Sequence, residues 1–194
     1  MDAPRYRSQV GPPRRYDLIG AMQFNVMTQL GLRDKHSLLD IGCGSLRGGR
    51  LFIPYLLPGN YFGIEPERWK VEEGIDNELG RDAIRIKEPT FSYRDDFKLS
   101  TFGRRFDFML AQSIFTHATQ AQIRTCLQEA AKLLDTLLAA TYFPGPKNYE
   151  GTEWTHLARY RPDFIESLAT EAGLTMEELD WPHPSGQQWV VFRP

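Results

Sequence analysis

The stretch Ser37-Leu38-Leu39-Asp40-Ile41-Gly42-Cys43-Gly44-Ser45-Leu46-Arg47-Gly48-Gly49 decides the fold. Its first half is a short apolar run suited to a buried strand, and it passes directly into glycines that force a tight turn. Glycine lets the backbone approach a ligand closely. The exposed amides of the turn and of a following helix offer donors to a carboxylate or phosphate. That helix is expected from about Leu46, with Pro54 inside or ending it, because a proline in a helix interior loses a backbone bond and kinks the axis.

Working outward, Pro58-Gly59-Asn60 is turn chemistry, Tyr61-Phe62-Gly63-Ile64-Glu65-Pro66 reads as a second strand, and Glu67 to Leu79 as a helix stopped by Gly80. Residues 91–93 form a weaker third strand and Phe106-Asp107-Phe108-Met109-Leu110-Ala111 a strong fourth. A helix over 120–134 places Ile123, Leu127, Ala130 and Leu134 on one face, with Thr119 and Gln122 as a capping box. A strand over 137–143 follows. Upstream, Ile19, Met22, Val26 and Leu30 recur at helical steps over 16–32, and Gly31 follows as a stop. At the other end, a helix over 161–172 has Pro162 near its start and Gly173 after it. Strands over 174–181 and 188–192 are then joined by a turn too short for a parallel crossover, which makes them antiparallel. The expected class is α/β: a Rossmann-like three-layer sandwich around a seven-stranded, mostly parallel sheet with a C-terminal antiparallel pair.

Composition narrows the function. With 23 Lys+Arg against 25 Asp+Glu the formal charge is −2, so no global field draws the chain to nucleic acid or to an anionic membrane. Arg5, Arg7, Arg14 and Arg15 make the first segment locally basic, which reads as an exposed, flexible arm without an assigned function. Cys43 and Cys126 lack the spacing of a metal site and fit a reducing compartment. No leader pattern opens the chain, and no run approaches the ~18 apolar residues of a membrane span, so a cytoplasmic location is expected.

In an open parallel sheet, ligands bind beyond the carboxyl ends of the strands. Glu65 ends the second strand, where an acid can accept both hydroxyls of a ribose, and a nucleoside ligand is implied. The dinucleotide fingerprint would need glycine where Arg47 stands. The phosphate loop would need a Gly-Lys-Ser/Thr tripeptide, which is absent, so NAD chemistry and nucleotide hydrolysis are both disfavoured.

Leu38-Leu39-Asp40-Ile41-Gly42-Cys43-Gly44, then Glu65-Pro66, then Phe106 to Ser113, resemble the successive signatures of class I S-adenosylmethionine-dependent methyltransferases. The resemblance covers at least residues 38–143, and the closing hairpin is similar to that family's last two strands. It implies S-adenosyl-L-methionine as cofactor, S-adenosyl-L-homocysteine as product and no metal. Asp40, Gly42, Cys43 and Gly44 would border the methionine part, with Arg47 and Tyr16 able to reach its carboxylate. Glu65, followed by Pro66, would hold the ribose. Asp95 or Asp96, with Phe97, would hold the adenine, Asp96 being preferred. The backbone of Ala111 and Gln112 would receive the amino group.

Departures from the family bound the acceptor. Residues 111–114 lack the Asn/Asp-Pro-Pro-Tyr run used on amide or exocyclic amino nitrogens, and no acid-acid-Asn cluster supports a magnesium-dependent mechanism. A small-molecule acceptor is expected, with a hydroxyl of a sugar or secondary metabolite as the methylated group. His117 is the candidate general base, and Tyr142, Trp154 and His156 are candidates for acceptor binding. Each has a structural alternative: His117 as a capping or packing residue, the aromatics as packing of this segment onto the sheet. The chain is expected to form a single domain: an arm over 1–15, a helix over 16–32, a cofactor-binding core over 33–143, an acceptor-side insertion over 144–160, and a closing helix and hairpin over 161–194. A binding module that keeps the cofactor pocket but does not catalyse is the alternative.

Overall fold

A computed structural model describes residues 5–194, and it divides into two compact units, one ending at Arg94 and the other beginning at Asp95. Within the first, a helical turn α1 (Arg5–Ser8) and the helix α2 (Tyr16–Gln29) precede strand β1 (Leu38–Ile41). The Gly-rich turn leads to α3 (Gly49–Tyr55), β2 (Tyr61–Ile64), α4 (Arg68–Gly74), α5 (Arg81–Lys87) and β3 (Thr90–Ser92). These strands pair in parallel in the order β3-β2-β1, with Asp40 opposite Gly63 and Ile41 opposite Ile64. Helix α2 buries Ile19, Met22 and Val26, the stripe that its periodicity predicts.

The second unit holds β4 (Phe106–Ala111), α6 (Gln120–Leu133), β5 (Leu134–Pro144), β6 (Arg159–Tyr160), α7 (Pro162–Glu171), β7 (Thr175–Leu179) and β8 (Gln188–Arg193). β4 and β5 are parallel, β8 runs antiparallel between β5 and β7, and the two-residue β6 pairs with the end of β5. The central β8 is buried along Trp189–Phe192. The edge strand β7 carries Glu177 and Glu178, charges that discourage pairing with another chain. Thr119 and Gln122 form the expected capping box: each side chain bonds the other residue's backbone N–H, at 3.2 and 2.9 Å.

The class is the expected one, a three-layer α/β arrangement on a mostly parallel sheet with an antiparallel C-terminal pair. Details add to it or differ. Beside the seven strands in line, a two-residue β6 pairs with the end of β5 among the described residues. Helix α3 begins at Gly49 and not near Leu46, because Leu46 has φ +61°, a left-handed conformation that cannot continue a right-handed helix. The helix expected over 67–79 loosens into a π-turn at Ile75–Leu79; it ends at Gly80 (φ +84°) as expected, and α5, which was not expected, follows at once. α5 buries no residue, so no apolar stripe announces it in the sequence.

Within the arm expected to be flexible, the Tyr6 hydroxyl donates to Glu78 and the Val10 carbonyl accepts from Arg47; residues 1–4 lie outside the described residues. Among the described residues no helix is long and apolar enough to cross a membrane.

Candidate functional site

In the first unit the chain turns sharply after β1. Gly42 (φ +74°) and Gly44 (φ +55°) take left-handed conformations that L side chains rarely adopt. The N–H groups of Gly42 and Cys43 both donate to the Ile64 carbonyl, at 2.8 and 2.9 Å, so the turn is clamped to the end of β2. Glu65 follows Ile64 directly and is buried. Its Oε2 accepts from the Gly44 N–H at 3.2 Å, its Oε1 accepts from the Glu67 N–H at 3.1 Å, and the Lys70 ammonium stands 3.6 Å away. The fold thus brings the glycine turn and the acid together. Pro66 is exposed beside them.

Asp40 is buried and accepts a hydrogen bond from the Tyr61 hydroxyl at 2.8 Å. Burial pushes its carboxyl up to about 6, against the Tyr61 bond and the nearby Arg47 charge, which both favour the ionised form. Arg47 is buried as well. Loss of solvation draws its guanidinium down to about 10, and its Nη1 donates to the Val10 carbonyl. The Tyr16 hydroxyl donates to the Ser45 carbonyl at 2.9 Å. Burial holds the Cys43 thiol well above its ordinary range, so it is a compact apolar filler and not a thiolate. A side chain on Gly63 would meet the Cys43 sulfur at 2.9 Å, which is why glycine stands there. Ser45 presents a fully buried hydroxyl with no hydrogen-bond partner among the described residues, a costly state for a polar group in a protein interior.

In the second unit, Asp95 and Asp96 are exposed, with Asp96 Oδ1 accepting from the Lys98 N–H at 3.2 Å, and Phe97 is half-buried with φ +54°. Ala111 and Gln112 are buried at the end of β4. Around Gln112 lies a polar cluster that sequence reasoning missed. Ser113 donates its N–H to Thr141 Oγ1 at 2.7 Å, Thr141 Oγ1 lies 2.6 Å from Gln187 Oε1, and Gln187 Nε2 lies 2.7 Å from Ser113 Oγ. His183 meets the Gln112 amide at 3.1 Å. These residues span 75 positions and follow no periodicity, so only the strand pairing joins them.

His117 Nδ1 lies 2.8 Å from the Thr155 carbonyl, which can only accept, so Nδ1 carries the proton and the neutral ring keeps its lone pair on Nε2. Burial lowers the His117 pKa and favours that neutral form. Its ring stacks on the half-exposed Trp154 at 5.5 Å between centroids, and His156, exposed, adds a like charge nearby when protonated. Tyr142 is placed differently: it is fully buried and its hydroxyl donates to Glu178 of β7 at 2.9 Å, a bond between strands. Among the described residues no group of three or more His, Cys, Asp or Glu is arranged to hold a metal ion.

No family model and no curated protein sequence matches the chain. Solved structures do. A sugar N-methyltransferase from Streptoalloteichus aligns over 100% of this chain and 94% of its own, with a TM-score of 0.69 at 16% identity. DesVI from Streptomyces venezuelae aligns over 96% of this chain and 94% of its own, with a TM-score of 0.69 at 17% identity. The magnesium protoporphyrin IX methyltransferase of Synechocystis, solved with S-adenosylmethionine bound, aligns over 91% of this chain and 81% of its own, with a TM-score of 0.66 at 17% identity. The chain has the fold of the class I S-adenosylmethionine-dependent methyltransferases.

Proposed function

We propose that the protein transfers a methyl group from S-adenosylmethionine to a small-molecule acceptor, with a hydroxyl of a sugar or secondary metabolite as the group methylated. The observation that carries this reading is the closure of the Gly42–Gly44 turn onto Glu65, 21 residues apart in sequence. It sets the main chain of the turn beside a buried carboxylate, an arrangement that fits a ribose held by Glu65. The buried, unpartnered Ser45 hydroxyl in the same turn fits a polar ligand that completes it.

On this reading Glu65 accepts the ribose hydroxyls and the main chain of Asp40, Gly42, Cys43 and Gly44 borders the methionine part. Arg47 supplies positive charge to that turn, and Pro66 borders the cofactor beside Glu65. Asp96 and Phe97, with Asp95 beside them, serve the adenine, and the backbone of Ala111 and Gln112 serves the amino group. The bound cofactor supplies a sulfonium methyl that is already electrophilic, so the protein's task is chiefly orientation and exclusion of water, worth ~7–11 kcal/mol. His117, its Nδ1 proton fixed on Thr155, offers Nε2 to take the proton of an acceptor hydroxyl, a contribution of ~10²–10⁴-fold. Trp154 and His156 border the acceptor on that side. With Tyr142 engaged by Glu178, we do not keep it among the acceptor residues.

A second reading, cofactor binding without turnover, draws on the polar cluster after β4, where Ser113, Thr141 and Gln187 satisfy one another and leave an acceptor fewer open groups. The test is calorimetric titration of S-adenosylmethionine, S-adenosylhomocysteine and NAD into the wild type and Glu65→Ala, followed by methyl-transfer assays across sugar, phenol, amine and peptide acceptors. Binding of the first two ligands that is weakened by the substitution supports the cofactor. Binding of NAD alone, or of none, overturns it. Turnover only of protein or nucleic acid overturns the small-molecule acceptor, and tight binding without any turnover favours the second reading.

A further inference from the structure

Residues 5–16 touch the Gly-rich turn at three positions. A side chain on Gly44 would stand 2.6 Å from Val10 Cγ1, so the two segments are in close contact. The Val10 carbonyl accepts from Arg47, and the Tyr16 hydroxyl donates to the Ser45 carbonyl at 2.9 Å. A ligand lying on this turn therefore meets the segment as a wall.

The outer end of the segment is fastened at Glu78. Tyr6 is buried and its hydroxyl donates to Glu78 Oε1 at 2.8 Å, while Arg7 Nε donates to the same oxygen at 2.9 Å and Arg7 Nη2 to it at 2.5 Å. The Arg7 guanidinium also lies 4.6 Å from the centre of the Tyr16 ring. The Glu78 side chain is only 6% exposed, and Arg50 approaches its other oxygen at 3.4 Å. Arg5 caps the Trp69 ring at 4.4 Å. A carboxylate this buried is tolerated only while its partners stay in place, so the fastening is strong when closed and weakened sharply once Tyr6 and Arg7 withdraw. Between the two wall contacts at Val10 and Tyr16, Gly11 takes φ +116° and the pair Pro12-Pro13 restricts the chain on its far side, so Gly11 is the position about which residues 5–10 can swing.

We propose that residues 5–16 belong to the cofactor site as a strap over the Gly42–Arg47 turn, latched at Glu78 by Tyr6 and Arg7, which opens for the cofactor to enter or leave. This rests on the cofactor reading above and adds to it the segment that controls exchange.

The test uses the full chain with S-adenosylhomocysteine as probe. Tryptic cleavage after Arg5, Arg7, Arg14 and Arg15 is followed by mass spectrometry with and without saturating ligand, and ligand release is timed by competition in the wild type, Glu78→Gln and Arg7→Ala. Bound ligand is expected to slow cleavage about tenfold or more, since proteolysis needs the strap to open. Both substitutions are expected to speed ligand release about tenfold, the scale set by losing a charged hydrogen bond. Ligand that binds the wild type with cleavage unchanged overturns the strap and leaves the cofactor reading standing. Release within about twofold of wild type in variants of unaltered circular dichroism does the same. Failure of the wild type to bind overturns both. The wild-type cleavage comparison holds even if a variant fails to fold.

Discussion

Replacing Asp40 by asparagine tests whether the acid beside the glycine turn is held at a cost to stability. Burial raises its carboxyl from an ordinary 3.8 to about 6, and an elevation of that size corresponds to about 3 kcal/mol between the ionised and neutral forms. The native state therefore holds this proton more tightly than the unfolded chain does. Its favourable contribution is complete below about pH 4, is lost as pH rises through about 6, and is flat beyond. Asparagine keeps an acceptor for the Tyr61 hydroxyl and removes the charge, but its amide N–H groups need partners, which offsets part of the gain. The expected outcome is a variant ~1–2 kcal/mol more stable than wild type at about pH 7.5, with the difference shrinking to nothing near pH 4.5. Urea unfolding at several pH values, fitted with a common slope, measures it. A difference that stays constant across this window would refute the assignment of a buried, charge-penalised Asp40.

Three further outcomes are expected. Ser45→Ala removes a buried hydroxyl that has no partner among the described residues, so the ligand-free protein gains ~1 kcal/mol in thermal or urea unfolding while calorimetry shows weaker S-adenosylmethionine binding. Gly20→Ala improves helix propensity by ~1 kcal/mol, yet the new Cβ would stand 2.6 Å from the Arg47 carbonyl oxygen. Backbone cannot yield as a side chain tip can, so a net loss of ~1–3 kcal/mol in unfolding free energy is expected, and a gain would show that the contact relaxes freely. Thr119→Ala breaks the capping box at the start of α6 and costs ~1 kcal/mol in urea unfolding, with Ser at the same position restoring most of it.

The parts of this protein that are legible in its sequence are those whose physics is local. The apolar run before Gly42, the glycines that must take positive φ, the Thr119–Gln122 cap, Pro162 at a helix start and the short link before Gln188 each act within a few residues of themselves. Together they determine the order of the main strands and helices, the antiparallel finish and the position of the glycine turn in the chain. Helix α5 escaped because it buries no face, and β6 because a two-residue strand has no pattern to read. The rest was decided by contacts between distant residues. Tyr61 reaches Asp40 across 21 positions, Arg7 reaches Glu78 across 71, and Gln187 reaches Ser113 across 74. Such pairs leave no periodic trace, since each partner is chosen by where the strands and helices carry it. An arm that reads as basic and exposed makes such contacts, and its Tyr6 is buried against Glu78. Tertiary structure alone settles this, because only there does a buried carboxylate meet its two arginines and a tyrosine.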